Sequence, residues 1–539
     1  MMPDRVHALG IAADRSAVHD RVGLDVAVLV GALALFAFLA LQTAPFVPDD
    51  SFISYRYAAN LAEGMGLRFN PGDAPVEGYS NFLWIVFLAL ASRAGIDPVV
   101  AGSFLSGLFG GLMIVALWLL LRRLGRVGPD LLIPVGLLAV AAPLLLYAVS
   151  GMETSLFAFL LLGLMLAAER AWARSSAAGG MMLGVVGVLL ALTRPEGIIA
   201  LPVVLLCLAI LARRDGRTAM WRGMVVAALL FTVVLVIYHA WRVTYFGDFR
   251  PTPLLSKGAS GDVLLGSAIA NLRQFFVRQT HYYTPLAYYY VAIAVPAVVA
   301  AGIAWRRDEN RPVEWMALVL AVVFAAIYLN FVDWMPGMRY YAPLVGLLLI
   351  PFSLLGSQLF GVDTRAQGGL AYLLLGAVLA LFSLSSLASL RLDGGRLQAS
   401  TEASLVALGQ WLHEATPPDA TLAMSDVGAT PYYAGLRTLD INPESLTDRY
   451  IAENGWSAEY FFAVDPDVVV ITSFSLTEPD FYGAHEDLYT TDRFQDTYEQ
   501  IGVVRNDWYQ DRSYWVFVRR GMTFSPNLMM TFPPGIHKP

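Results

Sequence analysis

Apolar runs recur in this chain from residue 24 to about residue 390. They lie near 24–43, 101–121, 131–149, 154–168, 180–193, 197–212, 223–245, 285–304, 314–332, 341–357 and 370–390. A hydrocarbon core about 30 Å thick is crossed by roughly 20 apolar residues in a helix, so these runs read as membrane spans, about eleven in all. A backbone in lipid must satisfy its own hydrogen bonds, which leaves helices or closed barrels, and runs of this length select helices. A hydrophobic content of 57% and a mean hydropathy of +0.57 exclude an ordinary soluble protein.

Arginine decides the direction of the spans. Clusters at Arg122/Arg123/Arg126, Arg170/Arg174, Arg213/Arg214/Arg217/Arg222 and Arg306/Arg307/Arg311 belong on the cytoplasmic side. They all do so if residues 1–23 form a cytoplasmic N-terminal segment and 24–43 is an uncleaved first helix; no A-x-A site follows that run. The segment 79–94 would flip every later loop if it crossed, so it reads as a juxtamembrane or re-entrant helix within a first outer loop, 44–100. An odd number of spans then places the C-terminal region outside, in what reads as a multi-pass membrane protein.

The net charge of −7 is uneven, with Asp and Glu concentrated in the last 150 or so residues, which argues against nucleic acid as a partner. A single cysteine, Cys207, precludes an intrachain disulfide, and neither His nor Asp spacing matches a metal loop, so no metal or cofactor is expected. From about 391 the hydropathy falls. An amphipathic helix over 401–414 and β-rich runs at 420–424, 436–441, 467–472, 500–504 and 514–518 predict a small extracytoplasmic mixed α/β domain, 391–539, after a membrane module, 24–390.

The polar motifs fall on the outer side. Asp49 and Asp50 stand together after the first span, with Arg56, Tyr57 and Glu77 downstream. Burial raises a carboxylate pKa and a guanidinium lowers it, so one of the pair is a candidate general base for a sugar hydroxyl. Either Asp could point into the site, and Asp50 could instead cap the helix over 51–63. Glu153, in Ser150-Gly-Met-Glu-Thr154, is favoured electrostatically at a helix start in any case. Arg194 and Glu196 flank Pro195 and could pair with each other, yet an outer Arg runs against the charge rule and suits an anion. Lys257, the only lysine before Lys538 in a chain that otherwise uses Arg, and Arg339 are candidates for a phosphate, with Asp333 as an alternative, structural partner of Arg339. The tyrosine clusters at 282–283, 288–290 and 340–341 read as interfacial belts.

The run Asp49-Asp-Ser-Phe-Ile-Ser-Tyr-Arg-Tyr57, followed by Val76-Glu-Gly-Tyr-Ser-Asn81, Ser150-Gly-Met-Glu-Thr154, Thr193-Arg-Pro-Glu-Gly197, Tyr245-Phe-Gly-Asp248, Asp333-Trp-Met-Pro-Gly-Met-Arg-Tyr340 and Ser425-Asp426, resembles one family in the same order. It is similar to the mycobacterial terminal β-(1→2)-arabinofuranosyltransferases, within the GT-C type membrane glycosyltransferases. The resemblance implies a polyprenyl-phosphate-linked sugar donor, arabinofuranose in that family, and an extracytoplasmic cell-envelope glycan acceptor. It makes Asp49 or Asp50 the catalytic base, with Arg194, Lys257 and Arg339 around the donor phosphate. Arg56, Tyr57, Glu77, Glu153, Glu196 and Asp333 complete the expected substrate-binding set. The alternative is a non-enzymatic flagellar or envelope-associated scaffold of the same superfamily. A transporter ranks below both, because the acids gather at one face rather than at the midplane.

Overall fold

The computed structural model describes residues 4–43, 46–249, 251–253, 284–306, 312–330, 335–356, 365–443, 445–481, 483–506, 512–522 and 536–537. Seven helices among them are long and apolar enough to cross a membrane: Gly23–Gln42, Pro98–Arg123, Thr154–Arg174, Pro195–Arg214, Met220–Phe246, Tyr289–Arg306 and Gly369–Ala415. Four shorter apolar helices of 10–17 residues, Phe82–Arg93, Pro129–Ala139, Ala177–Thr193 and Pro312–Tyr328, lie among them. The run expected near 131–149 is two helices, α5 (Pro129–Ala139) and α6 (Ala142–Tyr147). Pro143 stands in the first turn of α6, where its missing N–H and fixed φ suit a helix start and bar a continuous helix. Helix α3 (Phe82–Arg93) has 12 residues and rises about 18 Å, well short of a bilayer core.

Large apolar side chains such as Leu41, Phe104, Val236, Ile237 and Leu381 are exposed on the long helices, the arrangement of a bundle that faces lipid. Small residues let helices approach closely where they pack. Helix α8 (Ala177–Thr193) meets α10 (Met220–Phe246) at Gly180 and Gly184, where a methyl group at Gly180 would collide with the Gly223 backbone. Described arginines of these clusters gather at one end of the bundle. Arg123 pairs with Glu169 at 3.1 Å, Arg126 with buried Glu314 at 2.5 Å, and Arg217 lies over the Trp172 ring. The chain is a multi-pass α-helical membrane protein.

At the other end a long helix, α14 (Arg365–Thr401), passes without a break through residue 391. One π-type turn, Glu402–Val406, joins it to α15 (Ala407–Ala415), where the sequence predicted an amphipathic helix. Strands β1 (Thr421–Met424), β2 (Arg437–Asp440), β3 (Val468–Ser473), β4 (Tyr498–Arg505), β5 (Ser513–Arg519) and β6 (Ile536–His537) form one sheet in the order β2-β1-β3-β5-β4-β6. The first three strands are parallel and the rest antiparallel. The first five strands fall within about two residues of the runs read from the sequence. All six residues of β3 are buried, as an apolar Val-Val-Val-Ile run at the centre of a sheet requires.

Candidate active site at the junction of bundle and sheet domain

Helix α2 (Asp49–Ala62) lies between the bundle and the sheet domain, and nine of its residues are buried. Arg56 ties it both to the domain, where Nη2 donates to Leu436 O at 2.7 Å and Nη1 to Pro431 O, and to the loop that follows, where Nε donates to Phe69 O at 2.7 Å and Nη2 to Asn70 Oδ1 at 3.1 Å. The Phe52 ring packs on Tyr432 and Tyr433. On the bundle side Gly151 O accepts from Tyr55 Oη at 3.4 Å and Trp84 Nε1 at 3.0 Å. Residue 151 has φ +69° and a Cβ there would run into Tyr55 Oη, so this turn requires glycine.

The two adjacent acids have different surroundings. The N-cap of α2 is Pro48, and Asp49 is already the first helical residue. Its carboxylate reaches across to the sheet domain, where Oδ1 accepts from Ala429 N at 2.7 Å and Oδ2 from Gly428 N at 3.2 Å. Asp49 thus caps α16 (Ala429–Ala434). Burial pushes the Asp49 pKa well above the usual carboxylate range, and the negative charge of Asp426 adds to this; the two amide bonds oppose it. The expected acidifying guanidinium, Arg56, is engaged elsewhere. Asp50 lines two clefts at once. One, about 80 Å³, opens toward the bundle past Ser54, Asn81, Glu153 and Arg339. The other, about 290 Å³, opens into the sheet domain past Asp426, Asn442, Arg512 and Tyr514. Asp50, Ile53 and Leu446 are common to both.

Behind the smaller cleft sits a buried ion cluster. Glu153 Oε1 accepts from Arg194 Nε at 2.8 Å and Arg339 Nη2 at 2.5 Å, and Oε2 from Asn81 Nδ2 at 3.0 Å. Burial alone would raise the Glu153 pKa; the Arg339 and Arg194 guanidiniums and the Asn81 amide outweigh it and hold the group far below the usual carboxylate range. Arg194 also donates to Thr154 Oγ1 at 3.1 Å, lies over the Phe157 and Tyr340 rings, and stands 3.6 Å from Glu196. Glu196 accepts from Tyr328 Oη at 3.2 Å. Arg339 lines the cleft, and its Nε is a buried donor with no hydrogen-bond partner among the described residues. A guanidinium so placed can receive an anion.

The residues expected to bind substrate therefore divide. Asp50, Glu153 and Arg339 line the smaller cleft, with Arg194 and Glu196 behind them. Arg56 and Tyr57 line neither cleft; Tyr57 Oη donates to Val76 O at 2.7 Å and accepts from Gly78 N at 3.0 Å. Glu77 also stands apart, bound to Arg242 Nε at 2.5 Å, while its carbonyl accepts from Thr252 N at 3.2 Å. Burial pushes the Glu77 pKa up to about 7, against the opposing charge of Arg242. Lys257 and Asp333 lie outside the described residues. Sequence reasoning missed Asn81, which joins Ser54 to Glu153, and Arg242, whose signal was an arginine at the outer end of a 27-residue apolar helix, away from the cytoplasmic cluster that holds Arg222. It also left Arg512 and Tyr514 unassigned, and both donate to Asp426, at 2.6 and 2.7 Å.

Residues 393–518 match a family described as a domain of unknown function (DUF8728). No curated protein matches the chain by sequence. Among solved structures, ArnT from Cupriavidus metallidurans bound to undecaprenyl phosphate is similar with a TM-score of 0.57 and 14% identity, over 92% of this chain and 98% of that one. The apo state of ArnT from the same organism gives 0.56 and 15%, over 93% and 98%. The arabinofuranosyltransferase AftD from Mycobacteria gives 0.50 and 13%, over 91% of this chain and 40% of AftD. The chain has the GT-C fold.

Proposed function

We propose that the chain is a membrane glycosyltransferase that moves a sugar from a polyprenyl-phosphate donor to an extracytoplasmic glycan of the cell envelope. One observation carries this reading above the rest: Asp50 stands where a cleft with an arginine donor meets a second cleft rich in hydrogen-bonding groups. The fold is shared with a protein whose structure holds undecaprenyl phosphate. The donor enters from the bundle side with its phosphate on Arg339, and Lys257 is a second cation for it. The acceptor hydroxyl enters from the sheet domain.

The chemistry is a single displacement at the anomeric carbon. Asp50 takes the proton of the acceptor hydroxyl, the hydroxyl oxygen bonds to the anomeric carbon, and the bond from that carbon to the phosphate oxygen breaks. Polyprenyl phosphate leaves with the electron pair, and guanidiniums stabilise its developing charge. Glu153 holds Arg194 and Arg339 in place and offsets their charge, so that the phosphate can leave again. Asp49 positions Asp50 by joining α2 to the sheet domain. Arabinofuranose is the sugar favoured by the sequence resemblance. The orientation follows the arginine clusters: N-terminus in the cytoplasm, with the 391–539 domain outside the bacterial inner membrane.

The test is direct. The purified full chain is incubated with a panel of polyprenyl-phosphate sugars and neutral oligosaccharide acceptors, and polyprenyl phosphate release is followed. Acceptor-dependent release from one donor is the expected result. No release from any donor, in a protein whose presence alone sustains an envelope or motility phenotype, would favour the scaffold alternative.

A further inference from the structure

A third cleft, about 440 Å³, lies between the loop after α2 and the sheet domain and shares no residue with the two that Asp50 lines. Its volume is in the range of small-ligand sites. One wall is the segment Phe69–Val76, which runs on directly into Gly78 and Asn81 of the donor cleft. The other is Thr447–Asn454, which begins one residue after Leu446, the residue common to both catalytic clefts. A chain-like ligand ending at Asp50 therefore has a second cavity within a few residues of its path.

The lining has a particular chemistry. Tyr450 is 43% exposed, and among the described residues of the sheet domain only Phe474 is another large aromatic as open to water. Its ring stacks on Tyr460 with centroids 4.0 Å apart and planes inclined by 21°. Tyr460 is held in turn by its hydroxyl, which donates to Asp448 Oδ2 at 3.0 Å. Planar polar groups surround this pair of rings. Arg437 engages Asp73 through Nε alone, at 3.0 and 3.1 Å, so both Nη groups have no hydrogen-bond partner among the described residues. Asn454 donates through Nδ2 to Tyr450 O at 2.9 Å, and its Oδ1 likewise has no partner among them.

Two arginines, Arg437 and Arg449, face three carboxylates, Asp73, Asp448 and Glu453, in the lining. The cleft is therefore net negative by one charge and does not suit a phosphate. A sugar ring presents an apolar C–H face that packs on an aromatic ring, and hydroxyls at its edge that pair with guanidinium and amide groups. We infer that this cleft is a glycan-binding subsite for an uncharged oligosaccharide, holding an inner segment of the acceptor chain while its end lies at Asp50. The acceptor assignment rests on the proposed glycosyltransferase activity; the binding itself does not.

The test uses the full chain in detergent, titrated calorimetrically with linear neutral hexasaccharides of pentofuranose and of hexopyranose, without donor. Saturable binding of at least one probe is expected. Tyr450→Ala weakens it about tenfold and Arg437→Ala by about fivefold or more, Tyr450→Phe retains it, and Phe474→Ala leaves it unchanged. Polyprenyl phosphate release to a disaccharide acceptor is the same in Tyr450→Ala as in the wild type, while release to the hexasaccharide falls. If no variant or wild-type protein releases polyprenyl phosphate but the hexasaccharide still binds through Tyr450, the enzyme reading fails and this site stands. Absence of saturable binding by any probe, or equal binding by wild type and Tyr450→Ala, would overturn it.

Discussion

Replacing Glu153 by Gln removes the one carboxylate that lies between the buried Arg194 guanidinium and the partly buried one of Arg339. Arg194 Nε is 2.8 Å and Arg339 Nη2 2.5 Å from the same Oε1, and the side chain of Glu153 is 2% exposed. Removing one partner of a buried ion pair costs about 3–5 kcal/mol, because the remaining charge keeps its desolvation penalty. Two features place this case at the lower end. Gln retains an acceptor for Arg194, and Glu196, 3.6 Å from Arg194 Nη1, still offsets part of that charge. Against this, the new amide N–H groups face Asn81 Nδ2, itself a donor at 3.0 Å from Oε2. The expected loss is about 3 kcal/mol of stability. Thermal unfolding in detergent, followed by tryptophan fluorescence, should show it for Glu153→Gln, for Arg194→Gln, and for the double variant. The double variant should be little worse than either single one, with a coupling of ~2 kcal/mol. A coupling below ~0.5 kcal/mol, or a Glu153→Gln protein as stable as the wild type, would refute the view that this carboxylate holds the arginines.

Gly428→Ala should loosen the sheet domain, since a Cβ there meets the Asp49 carboxylate and backbone; faster proteolysis between the domain and the bundle is the readout. Arg56→Ala should loosen the same junction by removing its bonds to Pro431 and Leu436, while Arg56→Lys restores only part of them because a lysine lacks the planar fork. The Asp49 pKa is raised in the folded protein, so the folded state binds more protons than the unfolded one above pH ~3.8. The junction should therefore weaken as pH rises from there through the raised value, and Asp49→Asn should flatten that dependence in a proteolysis series across pH. Glu77, raised from 4.5 to about 7, has the same sign: its contribution should decline between those values, and the melting temperature of Glu77→Gln should not follow that decline.

The sequence made the ends of the molecule legible before its middle. Arginine clusters and apolar runs depend on composition alone, and the described helices carry Arg123, Arg126 and Arg217 to one end and Glu153, Arg194 and Arg339 to the other. Strands such as Val468–Ser473 were visible because an apolar run between turn residues has few alternatives. The length of individual helices was less visible, since a break such as that at 140–141 depends on where Pro143 falls within a run that is apolar throughout. The partners of charged groups could not be read at all. Arg194 could be read as pairing with Glu196 or as holding an anion; it does stand 3.6 Å from Glu196, but its closest carboxylate is Glu153, 41 residues earlier in the chain, which no local spacing signals. Asp49 and Asp50 looked interchangeable in sequence. They differ because successive helical residues point about 100° apart, so Asp49 meets the amides of Gly428 and Ala429 at the edge of the larger cleft alone, while Asp50 lines both clefts.

That division between the two acids is where the central claim can be tested most directly. Polyprenyl phosphate release should be measured for Asp50→Asn and Asp49→Asn beside the wild type, at saturating donor, with insertion and folding verified in each. With Asp50 as the base, Asp50→Asn should lose at least about a hundredfold in turnover, the lower bound for a general base. Asp49→Asn should retain turnover within about tenfold and lose mainly stability at the junction. Near-wild-type release by Asp50→Asn would contradict the account.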